Sequence, residues 1–248
     1  YVEYNLSNRE NIIIENANLI DENIISNFLN PSNFNESVEL LNEEYKNGNK
    51  YPLFIIASFT YTTFDVVVQK VIKKYKYIHA AISFDPSLEK MYSFSAAIEN
   101  GKISGGFVVE NIASYMNINP EESYMHINAI YLNKVQYEMV KNYIDHLAQN
   151  KDKTKYNFSH VFYVLFKKSE KKPNPMSAIC SEFCYSIFKL INFDVLNKAS
   201  NLVTAQDLVE IKNKRVYKIY EGKVKYYDKI KIKAKLKKLN NTAKYASL

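Results

Sequence analysis

At 248 residues the chain fits one large domain, or one domain with appendages. With 47% apolar and 14% aromatic residues but only 5 Gly and 6 Pro, it excludes a fibrous or low-complexity protein and allows a sizeable core. The net charge of +7 is unevenly divided, with residues 1–150 net acidic and residues 151–248 strongly basic. No stretch approaches the ~20 apolar residues of a membrane span. No secretory leader is visible, although the chain opens at Tyr1 rather than Met and so leaves a removed leader open. Two cysteines do not make a disulfide framework. Free thiols favour a reducing compartment, so the expected location is cytoplasmic or membrane-peripheral.

Residues 7–48 read as helices. Asn35 caps a run with Val38, Leu40, Leu41 and Tyr45 at helical spacing, and Asn47-Gly48 stops it. "YPLFIIASF" is a continuous apolar run of strand length and predicts a buried strand over 52–59. "TTFDVVVQKVIKKY" predicts a helix with Phe64, Val67, Val68, Val71 and Ile72 on one face. "YIHAAISF", "DPSLEK" and "MYSFSA" read as strand, turn and strand, an antiparallel hairpin over 77–95. "KISGGFVVENI" adds a short strand, and "YMHINAIYL" alternates as a strand over 124–132.

Residues 133–150 predict an amphipathic helix burying Val135, Met139, Tyr143 and Leu147. "SHVFYVLFKK" is compatible with strand or helix, and "KKPNPMSA" reads as a loop. The cysteine run predicts a helix to about Ile191, and Thr204 with Asp207 approaches a capping box. "RVYKIYEGKVKYY" carries a hairpin signal around Gly222. The tail "KIKIKAKLKK" sets alternating lysines against Ile230, Ile232, Ala234 and Leu236. That pattern is a lysine-guarded edge strand or basic tail, or an amphipathic segment over 229–238 for an anionic membrane surface. No nucleic-acid motif accompanies it, and a nucleic-acid partner is not expected. Helices on one side of a mainly antiparallel sheet make an α+β domain.

Cys180 and Cys184 lie one helical turn apart. A cysteine nucleophile requires thiolate character, a base and an oxyanion site, and a helix N-terminus helps with the first and last. Cys180 follows a Pro-containing loop and falls in the first turn, while Cys184, between Phe183 and Tyr185, reads as core. Of the four histidines, His79 and His126 lie on strands, His146 on the solvent face of its helix, and His160 at the head of an apolar segment. A strand histidine is more often structural than catalytic. The scattered histidines match no zinc spacing, so neither a metal nor another cofactor is expected.

"YIHAAISFDPSLEKMYSFSA", followed far downstream by "CSEFCYSIF" and "NLVTAQDL", resembles the permuted papain-like cysteine hydrolases of the YiiX/YaeF type, in the NlpC-like superfamily. In that family the histidine strand precedes the cysteine helix, reversing the papain order. Here the hallmarks are His79-Ala80-Ala81-Ile82 and Cys180-Ser181-Glu182-Phe183, with Ala205 where the later motif commonly has Pro. The likeness spans roughly residues 50–225. It implies a circularly permuted papain-like core over 50–228, flanked by a helical N-terminal extension (1–49) and a basic tail (229–248).

The resemblance further implies Cys180 as nucleophile and His79 as general base. The third, imidazole-orienting residue would lie on the next strand, where aligning the hairpin arms points to Ser93, a weak orienter. Glu110 and Glu89 are the alternatives. The backbone N–H of Cys180 would stabilise the oxyanion, with Ser58 or Thr60 nearby. The implied chemistry is acyl transfer on a peptide, amide or lipid-like acyl substrate. Two other readings stand beside it: a degenerate member that binds a ligand or membrane surface in the same groove, and a basic interaction protein in which Cys180 is structural.

Overall fold

The computed structural model describes residues 51–71, 74–99, 102–167 and 174–227. The helices expected over 7–48 and the lysine-rich segment over 229–238 lie outside the described residues. A six-stranded sheet organises the rest, in the order β4-β3-β2-β1-β5-β8. Its strands are β1 (Tyr51–Phe59), β2 (His79–Ser83), β3 (Met91–Glu99), β4 (Lys102–Glu110), β5 (Tyr124–Leu132) and β8 (Tyr217–Lys223), and all neighbours pair antiparallel. A separate parallel pair joins β6 (Lys155–Tyr156) to β7 (Ser177–Ala178). The helices are α1 (Thr63–Val71), α2 (Ile112–Ile118), α3 (Lys134–Gln149), α4 (Phe158–Phe166), α5 (Cys180–Leu190) and α6 (Ala205–Val209). The fold is α+β, as the sequence indicates.

The central strand β1 is apolar throughout because both of its faces are covered. Leu53, Ile55 and Ala57 join the larger apolar cluster with residues of α3, α5 and α6, while Phe54 and Ile56 point into a second cluster. Helix α2 packs on that second face, burying Tyr115 and half-burying Ile112 and Met116. The expectation of helices on one face is therefore corrected. Fully burying a side chain such as Phe54 is worth ~2–3 kcal/mol, so each face contributes substantially to holding β1 in place.

Helix α5 is buried nearly all round. Phe183, Cys184, Tyr185, Ile187 and Phe188 are each at most 1% exposed. Its two ends are tied by side chains. Gln136, in the capping box of α3 with Asn133, donates its amide to the Ile191 carbonyl at 2.9 Å and satisfies a group at the far end of α5. At the near end, Ser181 donates to the Val203 carbonyl at 2.6 Å, and the Glu182 carboxylate accepts the Ile179 N–H at 3.3 Å. The start of α5 is thereby held in one place over β2.

Three local expectations change, and one open alternative is decided. Val67 on α1 is 51% exposed, because the first turn of that helix buries Asp65 instead. Of the two alternatives left open for residues 158–166, the chain adopts the helix. The segment around Gly222 is no hairpin: β8 runs through Gly222 to pair with Met125 and ends in a 3-10 turn over Val224–Tyr226. His146 is buried, not solvent-facing, since the chain turns from α3 into a 3-10 segment, Lys151–Lys153, that folds back over the last turn. Burial and the nearby Lys153 charge both push the His146 ring toward its neutral form.

Candidate active site

His79 is the first residue of β2 and stands opposite Ser58 of β1 in the ladder. Cys180 is the first residue of α5, and its sulfur lies 3.8 Å from the carbonyl oxygen of Ile78, next to His79 in the chain. Being first in the helix, the Cys180 N–H has no intrahelical partner. The Cys180 side chain also interacts with the His79 ring. Two residues 101 positions apart thus meet where the cysteine helix crosses the end of the histidine strand.

Glu110, the last residue of β4, orients the imidazole. The His79 Nε2–H donates to Glu110 Oε2 at 3.0 Å, and the Tyr115 hydroxyl donates to the same oxygen at 2.7 Å. Burial disfavours the charged ring. The Glu110 carboxylate and the Cys180 side chain outweigh it, so the His79 pKa stands well above its usual value. Burial likewise works against the Glu110 carboxylate, but the His79 charge and the two hydrogen bonds hold its pKa below the usual one. Burial and the neighbouring Glu110 charge keep Tyr115 a protonated phenol, a permanent donor.

Ser93 does not fill the third position. β2 and β3 register through Ile82 and Tyr92, which sets Ser93 opposite Ala81, two residues short of His79. Its buried hydroxyl donates to the Ala80 carbonyl at 2.6 Å and contributes to the strand, not to the imidazole. Glu89 is exposed in the turn. Of the two alternatives, Glu110 meets the ring.

Neither oxyanion candidate, Ser58 on β1 or Thr60 just after it, presents a spare donor to the cavity among the described residues. Ser58 is fully buried and does not line the cavity beside Cys180. Thr60 does line the cavity beside Cys180, but both its N–H and its hydroxyl donate to Asp65 Oδ2, at 3.1 and 2.9 Å.

A residue not singled out in the sequence lies beside the thiol. Tyr156 on β6 is 7% exposed and its side chain interacts with that of Cys180. Burial and the neighbouring Cys180 charge push its pKa well up, so it remains a hydrogen-bond donor. The signal for it was Gly105-Gly106. A Cβ on Gly105 would stand 2.9 Å from the Tyr156 Cβ and 2.3 Å from the Ser95 carbonyl oxygen. One on Gly106 would stand 2.5 Å from Thr154 Oγ1. The two glycines let the 154–156 segment lie directly on β4, with Tyr156 beside the thiol.

These groups border a cavity of about 180 Å³, lined by His79, Glu110, Tyr115, Tyr156, Cys180 and Asp65 among others. A second, apolar crevice of about 40 Å³ lies on the other side of Tyr156 and Cys180, against Val68, Val161, Val164 and Val203. Cys184 is fully buried, and burial pushes its thiol pKa well up.

The other histidines lie elsewhere. His126 bonds Asn128 Oδ1 at 2.9 Å, and burial lowers its pKa. His160 is fully buried in a close pair with Glu182 at 2.6 Å, and its Nε2 accepts from the Asn157 amide at 3.0 Å. Among the described residues no three His, Cys, Asp or Glu side chains gather as a metal site, and no helix is long and apolar enough to cross a membrane. Comparison of the chain with protein families, characterised proteins and solved structures gave no match.

Proposed function

We propose that this chain is a cysteine hydrolase or acyltransferase of the permuted papain-like kind that its His79 and Cys180 motifs resemble. One observation carries the reading: the contact series Tyr115–Glu110–His79–Cys180 ends at the first residue of a buried helix. This is the arrangement that acyl transfer through a thiolate requires, with nucleophile, base, orienting carboxylate and a free backbone N–H at a positive helix end.

Because Nε2 of His79 is committed to Glu110, Nδ1 is the nitrogen that exchanges a proton with the thiol. The Cys180 proton passes to His79, giving thiolate and imidazolium. The sulfur attacks the carbonyl carbon of an amide, ester or thioester. A C–S bond forms, and the carbonyl π pair moves to oxygen, where the Cys180 N–H and the Tyr156 hydroxyl receive it. The tetrahedral adduct collapses and the bond to the leaving group breaks. The leaving group departs with the imidazolium proton. Neutral His79 then takes a proton from water. The hydroxide breaks the C–S bond of the thioester, releasing a carboxylic acid, and His79 returns its proton to sulfur. If an alcohol or amine replaces water, the same steps give acyl transfer. The substrate classes are those of amidases, thiol peptidases and lipid-directed thioesterases.

With a p-nitrophenyl ester, the wild type should release a stoichiometric burst of nitrophenol before slower turnover. Cys180→Ala should abolish the burst, and Cys184→Ala should retain it. Equal release from wild type and Cys180→Ala would remove the reading.

A further inference from the structure

Asp65 is a buried carboxylate that acyl transfer does not use. It is 4% exposed, lies in the first turn of α1, and lines the same cavity as Cys180 and His79. One of its oxygens is fully engaged, since Oδ2 accepts both the N–H and the hydroxyl of Thr60. Its own N–H donates to Thr62 Oγ1 at 3.0 Å. The side chain is thus locked at one end, and Tyr61 between these threonines holds a left-handed φ of 59° that fixes the turn. The other oxygen, Oδ1, has no hydrogen-bond or ion-pair partner among the described residues.

The two carboxylates that line the cavity are matched differently. The Glu110 carboxylate is matched by the His79 ring at 3.0 Å. Among the described residues, no lysine or arginine lines the cavity to match Asp65. A buried carboxylate with one rigidly held oxygen and one spare oxygen is a preorganised acceptor for a cationic N–H donor.

We propose that Asp65 is the subsite for a positively charged amine on the substrate. The substrate class is then an acyl compound whose leaving group or acyl part carries an ammonium group within one small cavity's width of the scissile carbonyl. This deepens the hydrolase reading and rests on it for the word substrate, but the cation subsite has a readout of its own.

The test uses the full chain and two small probes, n-propylammonium and n-propanol, as protectants of Cys180 against iodoacetamide at neutral pH. The cation should slow alkylation of wild-type Cys180 about tenfold more than the alcohol does at equal concentration. Such a difference corresponds to about 1.4 kcal/mol, within the range of a charge-assisted hydrogen bond. Asp65→Asn keeps an acceptor for Thr60 while removing the charge, and should bring the two protections together. Equal protection by both probes in the wild type overturns the subsite without any variant. So does a cation preference that survives in Asp65→Asn. In parallel, the p-nitrophenyl esters of glycine and N-acetylglycine are compared. Preference for the free ammonium ester should fall toward unity in Asp65→Asn. Protection without turnover of either ester would sink the hydrolase reading and leave the cation subsite standing. Turnover of both esters with no cation preference would do the reverse.

Discussion

At the scale of single residues, the site turns on which group holds the His79 ring. Glu110 is the main charge raising the ring's pKa, so Glu110→Gln should lower the pH at which His79 titrates, read from its ring proton resonance. An unshifted titration would contradict the assignment. The same coupling has a sign for stability. His79 is raised in the folded chain, so its contribution is complete below its usual value of 6.5 and is lost as pH climbs through the raised one. Glu110 is lowered, so its contribution is present above its usual 4.5 and is lost as pH falls through the depressed value. The melting-temperature gap between wild type and Glu110→Gln should therefore be widest between those two usual values and narrow on either side. Tyr156→Phe should reduce kcat on an aryl ester by about 10–100-fold with little change in KM, the mark of a donor used in the transition state. A change confined to KM would assign Tyr156 to binding.

At the scale of elements, the site depends on how closely three segments approach. Gly105→Ala drives a methyl into backbone of β3 and into Tyr156, and should destabilise the chain by ~1–3 kcal/mol in urea unfolding while moving Tyr156 off the thiol. Wild-type stability would mean that the close packing of 154–156 on β4 is not needed. Beneath the cysteine helix, His160 and Glu182 form a fully buried pair that holds the Ile179 N–H. Removing one partner strands the other, so His160→Ala should cost ~3–5 kcal/mol by the same measurement. Strands, the main helices and the Thr204–Asp207 box were readable in the sequence because each is a local pattern, a run of period 2 or 3.6 with a cap. Ser93 was misassigned because hairpin register cannot be counted from residue spacing when the turn residues leave it open. The pairing of Ile82 with Tyr92 settles it. Asp65 did carry a local signal, a threonine three residues before an acid at a helix start, as in other capping boxes.

At the scale of the whole molecule, the sheet order makes the site from distant sequence. β2 lies between β1 and β3, α5 packs on β2 and β3, and α2 closes the opposite face around Tyr115. Cys180 stood out locally because it opens a helix, whereas His79 stood out only through the resemblance of its strand motif, since a strand histidine by itself reads as structural. Glu110 was only one of two alternatives and Tyr156 went unnoticed, since neither has a local pattern: packing alone brings Glu110 to the His79 ring and Tyr156 to the thiol. The proposed chemistry rests on Cys180 acting as a thiolate nucleophile paired with His79. Mass-spectrometric mapping of limited iodoacetamide labelling on the native chain tests it most directly. The claim predicts fast, stoichiometric labelling of Cys180 at neutral pH, none at Cys184 until the chain is unfolded, and a loss of the fast phase in His79→Ala. Labelling of Cys180 no faster than an ordinary thiol, or unchanged by His79→Ala, would contradict it.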